Sequence, residues 1–149
     1  MDSRNDSITV GVRALGDAPT PAYHTTGAAA FDLAAAADLV VQPGQLALVP
    51  TGLVFAVPDG HFMAIVARSS LAKRGLLVAN GLGVLDSDYR GPADEAKILV
   101  LNYTQAPVTV TKGDRLAQAF VLHVPRVQFV PLDHDGAETS RGGFGSTGR

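Results

Sequence analysis

The chain has 149 residues, 46% of them hydrophobic, with a formal net charge of −2 and no cysteine. That apolar content suffices for one full core, and the missing thiols exclude disulfides, thiolate catalysis and cysteine-ligated zinc together. Near-neutral charge with scattered basic residues offers no footprint for gripping a polynucleotide, and no apolar run reaches the roughly 18 residues of a membrane span.

The N-terminus, Met1-Asp-Ser-Arg-Asn-Asp-Ser7, lacks the basic start and apolar stretch of a secretory signal, so a soluble, cytoplasmic protein is expected. Short β-rich runs then follow in order: Ile8 to Val12, Leu46 to Val49, Leu53 to Val57, Phe62 to Val66, Ile98 to Leu101, Val108 to Val110 and Ala117 to Val124. Between them stand Pro43-Gly44, Pro58-Asp59-Gly60, Asn80-Gly81, Pro107 and Lys112-Gly113-Asp114. Strands of this length with such punctuation predict an all-β jelly-roll sandwich. Alanines in Ala28 to Val41 favour a helix, but Gly27, Asp32, Asp38 and Pro43 interrupt it, and this stretch is read as mostly extended. One short helix is expected at Ser70 to Arg74, with serine as its cap and Gly75 behind it. An apolar stretch, Val127 to Leu132, precedes a polar, glycine-rich tail, so residues 1–131 are expected to form the core and 132–149 a flexible arm.

Five segments carry residues suited to chemistry. Ala29-Ala-Phe-Asp32-Leu33 embeds a carboxylate among apolar neighbours, which costs free energy unless it is paired, hydrogen-bonded or near a metal. Arg68-Ser69-Ser70-Leu-Ala-Lys73-Arg74 opens a helical turn, where N–H groups, hydroxyls and a guanidinium converge as in a phosphate clamp; a plain serine cap is the simpler alternative. Asn80-Gly-Leu-Gly83-Val84-Leu-Asp86-Ser-Asp-Tyr89-Arg-Gly91 reads as a hairpin whose backbone can face the edge of a base, or as a hairpin and nothing more. Gln118, in Gly113-Asp-Arg-Leu-Ala-Gln118, is a polar residue in a strand that otherwise seeks burial, and it needs a partner there or in a ligand. The tail, Arg141-Gly-Gly-Phe144-Gly145-Ser146-Thr147-Gly-Arg149, joins a stacking ring, two hydroxyls and two guanidiniums through glycine hinges.

In order and approximate spacing these five segments resemble the motifs of the trimeric dUTP pyrophosphatases (dUTPases), across residues 27 to 148. That resemblance implies a dUTPase-like β-clip jelly roll and a homotrimer with each active site shared among three chains. It implies hydrolysis of dUTP to dUMP and pyrophosphate, which limits uracil in DNA and supplies dUMP for dTMP synthesis. By similarity Asp86 is the general base that activates water for in-line attack on the α-phosphorus. Arg68, Ser69 and Ser70 would bind phosphates, while Gln118 would hold the α-phosphate region and the attacking water. Asn80, Gly83 and Val84 would read uracil through the hairpin backbone, and Tyr89 would pack under the sugar and reject a 2′-hydroxyl. Phe144 and Gly145 would cover the base, with Arg141, Ser146 and Thr147 reaching the phosphates. Mg²⁺ would ride on the triphosphate, with Asp32 meeting it through water.

The chain departs from the family pattern in three places. Thr139 stands where the arm usually has arginine, leaving Arg141 nearer the aromatic; Pro92 to Ala96 reads as a small insertion; and Ala67 replaces the usual glycine or proline. Altered loop geometry with retained activity is expected. Two other readings are a dCTP deaminase of related fold and a dUTP-sensing module without turnover. The deaminase would need a glutamate on the strand after the hairpin, where this chain has Ile98-Leu-Val-Leu101.

Overall fold

A computed structural model describes residues 7–132, 139–145 and 148. Eleven strands are seen among them: β1 Gly11–Ala14, β2 Phe31–Ala34, β3 Leu39–Val41, β4 Leu46–Pro50, β5 Leu53–Ala56, β6 His61–Ala67, β7 Leu76–Val78, β8 Leu82–Leu85, β9 Lys97–Asn102, β10 Val108–Val110 and β11 Arg115–His123. All pairings are antiparallel. A four-stranded sheet runs β2-β11-β6-β8, a three-stranded sheet runs β4-β9-β7, and two-stranded ladders β1-β5 and β10-β3 complete a jelly roll.

Period-two alternation explains why the strands fold inward as they do. In β9, Ile98, Val100 and Asn102 are buried while Lys97 faces out. Leu33, Met63, Leu71, Leu76, Ile98 and Leu116 are the largest fully buried apolar side chains of the core, each worth about 1.5–3 kcal/mol of burial. Asn102 lies among them without cost, because its amide donates to the carbonyls of Val41 and Ala106 while its oxygen accepts from Thr104. Ala28 to Val41 is extended as expected, and supplies β2 and β3.

Three local expectations are corrected. The short helix is a single 3-10 turn at Ala72–Arg74, and no side chain caps it. Leu71, buried in the core, occupies the position before the turn, so Ser70 lies one residue too early to cap it. Gly75 ends the turn as expected, with φ of +87° and its N–H on the Ala72 carbonyl at 3.1 Å, a left-handed geometry that favours glycine. Asn80-Gly81 makes a tight turn, closed by Gly81 N–H to the Val78 carbonyl at 3.0 Å, yet its flanking strands form no hairpin. β7 pairs with β9 and β8 pairs with β6, so the turn carries the chain from one sheet to the other. The first strand begins at Gly11 rather than Ile8, because its ladder partner β5 ends at Ala56.

Past β11 the apolar stretch pairs with no strand among the described residues. Val127, Phe129, Val130 and Leu132 are 70%, 91%, 74% and 86% exposed.

Candidate active site

The first group of candidate residues gathers where β6 ends and β11 begins. Gln118 lies opposite Asp32 of β2 on one side and Val66 of β6 on the other, so register alone places the glutamine between the carboxylate and the Arg68 loop. Asp32 is the hub: one carboxylate oxygen takes Arg68 Nε at 3.0 Å and the other takes Arg115 Nη1 at 3.1 Å, with its side chain 19% exposed. Arg68 also donates to the Arg115 carbonyl at 3.3 Å, and Gln118 Nε2 donates to the Ala67 carbonyl at 3.1 Å. Two guanidiniums around one carboxylate leave a net positive charge, beside the exposed Ser69 and Ser70. Such a cluster suits an anion with several oxygens.

A third ion pair lies next to this cluster. Arg74 Nη2 meets Asp114 Oδ2 at 2.6 Å, and the same oxygen accepts the Thr111 N–H at 2.8 Å. The pair ties the turn after Ser70 to the turn before Arg115. The Arg74 hydrogen bond, followed by the one from Thr111, holds the Asp114 carboxyl below its ordinary value of 3.8, against the opposing effect of burial. A depressed folded pKa means that the pairing stabilises the protein fully above the unfolded carboxyl value and is lost as pH falls through the folded one. Wild type is therefore expected to outlast Asp114→Asn in urea near neutral pH, with the gap closing on acidification below 3.8. A gap independent of pH would show that the charge of Asp114 contributes nothing.

Arg115, Arg74, Asp114 and His24, whose Nδ1 lies 3.3 Å from Arg115 Nη1, are given no role of their own by the sequence. For Arg74, Asp114 and Arg115 a signal was present, since they lie inside the Arg68 to Arg74 and Gly113 to Gln118 segments. His24 stands apart in sequence and only folding brings it there. A cavity of about 330 Å³ lies beside the cluster, with His24, Asp32, Thr51, Lys112 and Arg115 in its wall.

The second group lies on β8 and the turn after it. β8 is an edge strand of the four-stranded sheet, so one side of its backbone has no strand to bond among the described residues and can pair with a planar ring. Gly83 faces Ile65, and a Cβ added there would come within 3.3 Å of the Ile65 Cβ; a side chain there would crowd β6 and require it to give by a few tenths of an ångström. Val84 and Asn80 are exposed. Asp86 follows directly, also exposed, and its carbonyl accepts the Tyr89 N–H at 3.2 Å.

These two groups do not meet within one chain. Along β6, Val66 faces Gln118 whereas Met63 faces Leu85, which offsets Gln118 from Asp86 by four positions along the strands and two strands across them. At about 3.3 Å per residue and about 4.8 Å per strand, their backbones are about 16 Å apart, too far for both side chains to serve one phosphorus atom. A third group, on the arm, is separate again: Arg141 and Gly145 are exposed, and Phe144 is wholly exposed with φ of +52°. Ser146 and Thr147 lie outside the described residues. Among the described residues no group of three or more His, Asp or Glu side chains is placed to hold a metal ion.

A family model described as dUTPase matches residues 16–148. The deoxyuridine 5′-triphosphate nucleotidohydrolase of Caulobacter vibrioides is 44% identical over 138 residues, covering 89% of this chain and 87% of that one. Among solved structures, a Staphylococcus bacteriophage 80alpha dUTPase variant with dUpNHpp aligns with a TM-score of 0.81 at 20% identity, over 96% of this chain and 100% of that one. A variant dUTPase of phage phi11 of S. aureus, reported for its coordination of a structural Mg(II) ion, aligns with a TM-score of 0.77 at 19% identity, over 86% and 99%.

Proposed function

The chain belongs to the dUTPase family and hydrolyses dUTP to dUMP and pyrophosphate, and we propose that it does so by in-line attack of water on the α-phosphorus, with Asp86 as general base. The net-positive cluster of Arg68 and Arg115 around Asp32, beside Gln118, carries this reading, because it is an anion receptor on strand ends of a chain otherwise near neutral. Arg68, Ser69 and Ser70 bind phosphate oxygens, and Gln118 aligns the α-phosphate with the water. Asp86 accepts a proton from that water as its oxygen bonds to the α-phosphorus. The bond from the α-phosphorus to the bridging oxygen breaks on the opposite side, pyrophosphate leaves, and the proton passes from Asp86 to solvent. Catalysis of this kind rests on alignment and charge neutralisation.

The separation of the two groups supports a homotrimer in which Asp86, Asn80, Gly83, Val84 and Tyr89 of one copy face Arg68 and Gln118 of the next. Two further features favour association of copies. The apolar segment Val127 to Leu132 lies open, and an apolar groove of about 480 Å³ lined by Val12, Tyr23, Phe31, Phe55 and Phe120 runs beside the cluster, since Thr20 and Pro21 line both it and the cavity holding Asp32. Arg141, Phe144, Gly145, Ser146 and Thr147 belong to the arm that closes the site.

Mg²⁺, bound with the triphosphate, would supply charge neutralisation to the phosphate oxygens. Asp32 fits it only through water: both carboxylate oxygens already accept from arginines, and the lone pairs left over suit a water better than direct ligation. No helix among the described residues is long and apolar enough to cross a membrane, and a cytoplasmic nucleotide pool is the proposed source of substrate.

A pyrophosphate-release assay with Mg²⁺ across dUTP, dTTP, dCTP and UTP tests this. Release from dUTP is expected at least about a hundredfold above the others, since steric exclusion rejects a methyl or hydroxyl strongly. Ammonia released from dCTP, or dUTP bound without pyrophosphate release, would refute it.

A further inference from the structure

Resting on the reading of Tyr89 as the residue beneath the sugar, we propose that Arg13 and the Pro92 to Ala96 loop are what orient Tyr89, and so set the preference for a deoxyribose over a ribose. The ring is not held by packing alone. Its hydroxyl donates to the Glu95 carbonyl at 3.1 Å, so the orientation of the ring depends on where the loop holds that carbonyl.

The loop is held at every turn. At its start, Arg13 Nη2 uses its two hydrogens on the Gly91 carbonyl at 3.1 Å and the Pro92 carbonyl at 3.0 Å. Internally, Asp94 closes a turn by accepting the Gly91 N–H at 2.7 Å, while its own N–H returns to the Gly91 carbonyl at 3.2 Å. Beyond it, the Glu95 carboxylate accepts the Gly52 N–H at 2.8 Å, and Ala96 is buried, with its carbonyl on the Thr51 hydroxyl at 2.6 Å and its N–H on the Leu53 carbonyl at 2.8 Å. The far end of the loop is therefore fixed to β5 and the residues before it. The near end, where Gly91 and Pro92 leave the Tyr89 turn, is tied to the body by Arg13, which projects from β1, itself paired to β5, while Asp94 holds Gly91 only from within the loop.

The consequence is directional. Rejection of a 2′-hydroxyl requires the ring to stand where that hydroxyl would go, and a ring free to swing gives the space back. Releasing the loop should admit UTP more than it harms dUTP. Arg13 touches neither the phosphate cluster nor Asp86, so it is a positioning residue, and Tyr89 is the group that meets the sugar.

The test compares kcat/KM for dUTP and for UTP in wild type, Arg13→Ala, Arg13→Lys and Tyr89→Phe. The dUTP-to-UTP ratio is expected to fall about fivefold to tenfold in Arg13→Ala and in Tyr89→Phe, the scale of one lost hydrogen bond, with much of it restored in Arg13→Lys, which keeps a donor. If Arg13→Ala leaves the ratio unchanged, the loop is a brace and the inference is wrong, whatever Tyr89→Phe does. Should Arg13→Ala fail to fold, Arg13→Met, which keeps the aliphatic stem and loses the donor, is read in its place with the same two outcomes. A wild type that turns over no dUTP refutes the proposed function instead, so the two failures are distinct.

Discussion

Asp86→Asn is expected to bind dUTP within a few-fold of wild type and to release pyrophosphate at least about a thousandfold more slowly, within the range that a positioned general base contributes. The substitution keeps the shape of the side chain and removes only its capacity to take a proton. Asp86 is exposed at the end of β8, and among the described residues its side chain makes no hydrogen bond, its backbone carbonyl alone holding the turn to Tyr89. Asparagine therefore costs the fold almost nothing, and lost rate reports on chemistry. Single-turnover release and calorimetric binding of a non-hydrolysable dUTP analogue separate the two effects. A rate within tenfold of wild type would remove Asp86 from the mechanism.

Deletion from Gly142 onward is expected to leave melting temperature and oligomeric state unchanged and to lower kcat/KM for dUTP by at least about a hundredfold. Phe144 is wholly exposed and the core does not use it, so its removal leaves the packing intact. Its ring is expected to act on a bound ligand, where stacking on a base would be worth about 1–3 kcal/mol, and a closed arm would also keep bulk water from the reacting phosphorus. Phe144→Ala should recover the stacking part alone, about tenfold. An arm-deleted protein at full rate would refute the lid. A fall in melting temperature would show instead that the arm is part of the body.

Much of this protein is written locally. Val108 to Val110 is a strand at the expected residues, and the runs at Leu46, Leu53, Phe62, Ile98 and Ala117 shift by only a few residues at their ends. Alternation of buried and exposed side chains is a property of consecutive residues, so it survives in the sequence. The left-handed Gly75 is legible for the same reason. The serine cap was not, because whether Ser70 or Leu71 precedes the turn depends on which side chain the core takes up, and it takes Leu71. Asn80-Gly81 misled in a similar way: the dipeptide specifies a tight turn but not which strands flank it as partners, and here they join different sheets.

The sequence by itself determined most of the strand runs, the absence of thiol chemistry and the family, since each is carried by neighbours along the chain. Tertiary structure alone decided that Asp32 spends both its oxygens on Arg68 and Arg115, that Asp114 pairs with Arg74, that Arg13 reaches the loop beyond Tyr89, and that Asp86 stands well apart from Gln118 in one copy. The ion pairs and hydrogen bonds among these join residues from 36 to 83 positions apart, set by strand register and by which charges burial forces together, and no local stretch of sequence encodes them.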